Sequence, residues 1–118
     1  MRAWSGPDRA LSEPPVRRQD RRAAIQRLLD SEPVCLQIVV YLTRNTEAAD
    51  TAQGIAEWWT HTEPRLTSRA LRMLLDHGVV RSMSVPNATS VYAFTRDPGL
   101  RKSLTEYIQS LAERVGTS

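Results

Sequence analysis

The chain has 118 residues, which supports one compact domain burying roughly two-thirds of its unfolded surface and leaves no room for a second. Hydrophobic residues at 41% and charged residues at 25% are the proportions of a soluble globular protein, no apolar run approaches the ~18 residues of a membrane span, and residues 1–15 lack the apolar core of a secretory signal. A cytoplasmic protein without membrane association is expected, and a single cysteine excludes an internal disulfide.

The net charge of +3 is unevenly placed. Residues 1–22 hold six arginines against Asp8, Glu13 and Asp20, whereas residues 23–118 carry ten basic and ten acidic groups. A basic arm on a neutral domain suits a polyanion, because it releases counterions from phosphate; an acidic protein would attract it as well. All basic residues but Lys102 are arginine, which favours bidentate contacts to phosphate or guanine, although a GC-rich genome gives the same bias.

In chain order, residues 1–18 mix Gly6, Pro7, Pro14 and Pro15 with charges and have no periodicity, which predicts a disordered basic arm. A single domain over residues 19–118 follows. From Gln19 to Asp30, Ala24, Ile25, Leu28 and Leu29 form a stripe beside Arg18, Arg21, Arg22 and Arg27, the pattern of a short amphipathic helix. Ser31 and Pro33 read as the cap and first turn of a second helix, mostly buried, running to Asn45 with Val34, Ile38 and Leu42 on one line. Thr46 to Asp50 reads as a polar turn, after which Asp50 or Thr51 caps a third helix in which Ile55 and Trp59 face inward.

The most informative stretch is Thr62 to Val80. Thr62 or Glu63 can cap a helix whose first turn holds Pro64, and Gly78 supplies the positive-φ stop. Thr67, Ala70, Leu71, Leu74 and Leu75 recur at helical spacing and give one face to a core, while Arg65, Ser68, Arg69 and Arg72 share the other. Three guanidinium groups along one side of helix 63–77 are the make-up of a helix that reads the major groove.

After Gly78 the pattern alternates: Val79 to Val85 and Ser90 to Thr95 flank the turn cluster Pro86 to Thr89, which predicts a β-hairpin. Asp97 and Pro98 start a last helix, residues 98–115, with Leu100, Leu104, Tyr107, Ile108, Leu111 and Val115 near heptad spacing. Such a stripe is buried on its own domain or on a second copy. The fold class is mainly α with a small β-hairpin.

Other candidates for chemistry have plainer explanations. Cys35 on an apolar helix reads as a small buried hydrophobe, and Cys35, His61 and His77 have no metal-ligand spacing, so no metal or other cofactor is expected. His77 suits the negative end of a helix dipole. Trp59 is assigned to packing; Trp58 covers the domain edge, meets the terminal helix, or lines an interface or ligand pocket. No nucleophile–base pair, phosphate-cradling glycine loop or paired carboxylate stands out, so an enzyme is not expected.

The segments Ile55-Ala56, Ser68-Arg69-Ala70-Leu71-Arg72 with Leu74, and Gly78-Val79-Val80 resemble the spine of winged helix-turn-helix transcriptional regulators of the MarR and ArsR kind, over about Pro33 to Thr95. The resemblance implies a winged helix-turn-helix, core 33–95, with flanking N- and C-terminal helices that form a homodimer. It places Arg65, Ser68, Arg69 and Arg72 on the reading face, Asn87 and Thr89 at the tip of the wing, Arg81 at its base, and Ile25, Leu28, Leu100, Leu104, Tyr107, Ile108 and Leu111 at the dimer interface. Three departures stand out. Thr67 holds a position usually given to valine, the span from Ser82 to Thr95 has no Lys or Arg, and the cysteine-rich metal motif is absent.

The expected function is therefore sequence-specific binding of double-stranded DNA by a homodimeric transcriptional regulator. Thr62 and Ser68 would donate to phosphate, Arg69 and Arg72 would meet guanine edges or phosphates, and Arg17, Arg18, Arg21 and Arg22 would add backbone or minor-groove contacts. The alternative is a winged-helix protein-interaction module in a larger nucleoprotein or transcription assembly, which the uncharged hairpin favours. A further rival is a repressor with a small-molecule effector in a dimer-interface pocket near Trp58, Tyr41 and Tyr107, an effector that no motif calls for.

Overall fold

The computed structural model describes residues 15–86 and 90–116, with side chains over residues 20–86 and 90–114. Most of the expected arm, residues 1–14, and the tip of the hairpin, residues 87–89, lie outside the described residues.

Helix α1 spans Pro15–Ser31 and so begins four residues before the expected Gln19. A proline tolerates the first turn, where its missing N–H has no partner to lose, and arginine and glutamine are good helix formers. The boundary drawn at residue 18 is corrected: Arg17 and Arg18 belong to a helical backbone. Ile25 and Leu29 are buried, with Ala24 and Leu28 partly covered beside them. Ser31 is still helical and its hydroxyl donates back to the Arg27 carbonyl at 2.9 Å, so it closes α1 instead of capping the next helix. Helix α2 (Pro33–Arg44) follows Glu32, which makes no side-chain cap bond; Cys35, Ile38, Val39 and Leu42 are fully buried.

The stretch expected to be a polar turn contains a strand. Strand β1 (Ala49–Thr51) is succeeded directly by α3, one α-helical turn (Ala52–Gly54) that widens into a π-helical segment (Ile55–Thr60). The cap expected at Asp50 or Thr51 is present: the Thr51 hydroxyl accepts from the Gly54 N–H at 3.1 Å, and Asp50 Oδ1 accepts from the Thr51 N–H at 2.8 Å. The Asp50 carboxylate occupies the space where a Cβ on residue 54 would stand, so a larger residue there would have to displace the Asp50 side chain. At the exit, His61 has φ 52° and ψ 45°, the left-handed conformation that usually falls to glycine.

Helix α4 (Pro64–Asp76) buries Thr67, Ala70, Leu71 and Leu74. The Thr67 hydroxyl lies 3.4 Å from that of Thr60 in the core, so the departure from valine gives a buried polar pair in which one hydroxyl donates to the other. No side chain caps the start of α4: Glu63 has the capping position without the bond, and the Thr62 hydroxyl donates to the Thr60 carbonyl. The stop is as expected. Gly78 has φ +74°, its N–H donates to the Leu75 carbonyl at 3.0 Å, and the Val79 N–H reaches back to Leu74 at 2.9 Å. Together these bonds form a Schellman motif.

Strands β2 (Val80–Met83) and β3 (Val91–Phe94) are the two expected arms of the hairpin. They pair antiparallel, Val80 opposite Phe94 and Met83 opposite Val91. β1 adds to the free edge of β3, with Ala49 opposite Ala93 and Thr51 opposite Val91, so the sheet has the order β1-β3-β2. Phe94, Val79 and Val80 bring the sheet into one core with the helical Leu29, Ile38, Leu42, Ile55, Leu71 and Leu74.

Asp97 Oδ1 caps α5 (Pro98–Gly116) by accepting from the Gly99 and Leu100 N–H groups. Leu100 and Leu104 join the core, and the Tyr107 hydroxyl donates to Asp30, tying α5 to α1. The molecule is thus mainly helical with a small three-stranded antiparallel sheet. Among the described residues, no helix is long and apolar enough to cross a membrane.

Candidate nucleic-acid interface

One face of α4 is fixed by four buried side chains, and the opposite face is thereby turned to solvent. Arg65, Ser68, Arg69 and Arg72 are all exposed on it. Arg65 and Arg72 are seven residues apart, roughly 10 Å of helix axis at 1.5 Å per residue. Neighbouring guanidinium groups at i,i+4 and i,i+3 repel by about 0.2–0.5 kcal/mol per pair. None of the three makes a hydrogen bond or an ion pair with any described residue, so Glu63 and Asp76 do not offset them. Arg69 is nevertheless close enough to oppose, electrostatically, the rise in the Cys35 pKa.

Beside this face an open groove of about 590 Å³ separates α4 from the sheet. Ser68 and Pro64 line one wall; Thr51, Gln53, Ser90 and Tyr92 line the others. Its polar groups are hydroxyls and an amide, with no ionised group among the lining residues. Thr51, Gln53, Ser90 and Tyr92 were not anticipated as site residues. They come from two stretches of the chain some forty residues apart, and nothing in their spacing announces that the sheet gathers them.

The remaining candidates are placed elsewhere. Thr62 is half-buried and its hydroxyl proton is committed to the Thr60 carbonyl, which removes it as a donor to phosphate in this conformation. Arg81 is folded along the sheet: its Nε donates to the Phe94 carbonyl at 3.0 Å and its Nη1 to Met83 Sδ at 3.0 Å. It is a tie within the hairpin and does not project from its base. Arg21 is engaged within the fold, its guanidinium lying against Gly78 at the far end of α4, and Arg22 lines a cleft with Asp97, Gly99 and Leu100 at the start of α5. Neither joins the arginine face. Asn87 and Thr89 lie outside the described residues, as do the side chains of Arg17 and Arg18.

The stripe expected to meet a second copy is largely used at home. Ile25, Leu100 and Leu104 are buried in the chain's own core, because α5 packs back on α1 and α2. They are corrected from interface to core positions. Leu28, Tyr107, Ile108 and Leu111 remain partly exposed.

Cys35 is fully buried with its Sγ 3.6 Å from the Ala70 carbonyl, and burial pushes its thiol up to about 11, helped by the nearby Glu32 carboxylate. It is a core residue, as its helix position predicted. His77 Nδ1 lies 2.9 Å from the Met73 carbonyl at the end of α4. Trp59 stacks on Tyr41 with ring centroids 4.4 Å apart and planes 12° from parallel, whereas Trp58 is 70% exposed. Among the described residues, no group of three or more His, Cys, Asp and Glu side chains is placed to hold a metal ion.

Comparison with protein-family models, with curated proteins and with solved structures finds no match to this chain.

Proposed function

We propose that the chain is a winged helix protein that binds double-stranded DNA with α4 in the major groove. The observation that carries the reading is the row of Arg65, Arg69 and Arg72, exposed and without a partner among the described residues, on a helix whose other face is locked into the core. Such a row is mildly unfavourable to the isolated fold and becomes favourable on a polyanion. The element order supports the reading: α2, β1, α3 and α4 are followed by a hairpin, and β1 pairs with the second hairpin strand, as a winged helix would require. In this reading Arg69 and Arg72 meet guanine edges or phosphates, and Ser68 with the hydroxyl groove receives the sugar-phosphate chain that an uncharged wing cannot attract by charge. Residues 1–14 with their two arginines add a salt-sensitive contact. A homodimer meeting over Leu28, Tyr107, Ile108 and Leu111 would set two α4 helices on half-sites about 34 Å apart.

The test is selection of bound duplexes from a random pool at physiological salt, followed by the salt dependence of the selected complex. A preferred, roughly palindromic sequence is expected, with an affinity that falls steeply between about 50 and 200 mM salt. No retained duplex at the low-salt end would remove the DNA reading. It would favour a protein-interaction module, the alternative supported by the absence of Lys and Arg between Ser82 and Thr95.

A further inference from the structure

A second groove, sharing no residue with the arginine face, runs between α2 and the end of α3 and encloses about 540 Å³ of open space. Leu36, Val40, Tyr41 and Arg44 line it from α2, with Trp59 and His61 opposite. Leu36 to Arg44 is two turns of helix, roughly 12 Å at 1.5 Å per residue. The trough is open along this length, whereas a small-molecule site encloses most of its ligand. Its dimensions suit a short stretch of polypeptide.

The lining has a definite chemistry. Tyr41 and Trp59 form a stacked aromatic pair, and Leu36 and Val40 leave part of their apolar surface uncovered beside it. Arg44 is the charged side chain of the groove and the His61 imidazole stands beside it; no carboxylate lines the groove, and neither side chain has an ion-pair partner among the described residues. Trp58, the next residue to Trp59 but not itself part of the lining, holds its indole 70% in solvent, the largest apolar side chain so exposed among the described residues. Tryptophan and arginine are the residue types that dominate interface energetics. Two backbone features mark the same wall. The π-helical turn ends here, and His61 keeps a left-handed conformation costly for a residue with a Cβ.

We infer that this groove docks an acidic amphipathic helix of a partner protein, with its apolar side chains on the Tyr41–Trp59 stack and Trp58 and its carboxylates against Arg44 and His61. A nucleic acid fits less well, since one arginine beside aliphatic side chains offers little to a row of phosphates. A second copy fits less well too: its longest amphipathic helix, α5, mixes Glu106 and Glu113 with Arg101, Lys102 and Arg114.

The probe is a fluorescein-labelled model helix of about four turns with leucine and phenylalanine at i, i+3, i+4 and i+7 and glutamate on the other positions, read by anisotropy against the full chain. Its lysine counterpart, apolar residues unchanged, is the control. The acidic peptide should bind and the lysine peptide should not. Trp58→Ala and Arg44→Glu, both at exposed positions that the fold does not need, should each weaken binding by about tenfold or more. The double variant Arg69→Ala/Arg72→Ala should leave it unchanged. Equal binding of the two peptides, binding of neither, or loss of binding only in the Arg69/Arg72 variant overturns the inference. So does sedimentation showing that the protein self-associates and that Trp58→Ala makes it monomeric, because a second copy then fills the groove.

Discussion

The arginines of α4 and those tied to the sheet, Arg81 from β2 and Arg101 from α5, are the same side chain in opposite circumstances. Arg65, Arg69 and Arg72 stand exposed with no partner among the described residues, while Arg81 and Arg101 are woven into the fold. Arg101 is the fuller case: its Nε donates to the Thr95 carbonyl at 2.5 Å, its Nη1 meets Glu47 Oε2 at 3.1 Å, and its guanidinium lies 5.4 Å from the Phe94 ring centre. It thereby holds α5 to the end of β3 and to the loop before β1. In the proposed reading, the unpaired positive charges are the ones that meet DNA, and the paired ones hold the fold together. The contrast separates two measurable quantities, DNA affinity and stability.

The largest effect tests that separation directly. Arg69→Ala and Arg72→Ala should each weaken binding to the selected duplex by about 1–3 kcal/mol if they contact bases, and should leave the denaturation midpoint of the free protein unchanged or slightly raised, since like-charge repulsion is relieved. Arg101→Ala should do the reverse. Its ion pair with Glu47, whose side chain is 82% exposed, is worth little, so the expected loss of about 1–2 kcal/mol in stability comes from the Thr95 hydrogen bond and the Phe94 contact. Duplex affinity should hold in folded Arg101→Ala protein. If both variants lose affinity equally, the distinction between answered and unanswered arginines fails.

How much of this contrast is legible without coordinates depends on the kind of fact. That Arg65, Arg69 and Arg72 share an exposed face follows from the helical period of Thr67, Ala70, Leu71 and Leu74, and the stop at Gly78 follows from the need for a positive φ. That the same arginines lack carboxylate neighbours does not follow, because those neighbours would come from other elements. β1 was illegible for a related reason: Ala49 and Asp50 are poor strand formers, and the strand exists because β3 offers an unpaired edge. The π-helical turn leaves no trace in the spacing of Ile55 and Trp59, which an ordinary helix would explain equally well. The apolar stripe of α5 was visible; that the core buries its Leu100 and Leu104 is a matter of packing.

Arg81 gives a smaller and sharper test, because it was expected on DNA and is found along the sheet. Arg81→Met keeps the aliphatic stem and removes the bond to the Phe94 carbonyl, and about 0.5–1.5 kcal/mol of stability should go with it. Duplex affinity and its salt slope should not move. A salt slope reduced by about one, with stability intact, would return Arg81 to phosphate contact.

The smallest effect concerns a tie made without any cation, between the Tyr107 hydroxyl on α5 and Asp30 on α1. Burial raises the Tyr107 pKa above its ordinary value of 10.0, aided by the hydrogen bond to Asp30 and by that carboxylate's charge. A phenol harder to ionise in the fold than in the unfolded chain adds stability that is complete below the unfolded pKa and is lost as pH rises through the folded one. Tyr107→Phe should therefore cost up to about 1 kcal/mol near neutral pH, modest because the pair is partly solvated. Denaturation midpoints of the two proteins should converge at alkaline pH. The Cys35 thiol, pushed up to about 11, titrates in the same direction but is common to both proteins and cancels from their difference. A gap that widens on alkalisation would mean that ionised Tyr107 is favoured in the fold, contrary to a hydroxyl that donates to Asp30.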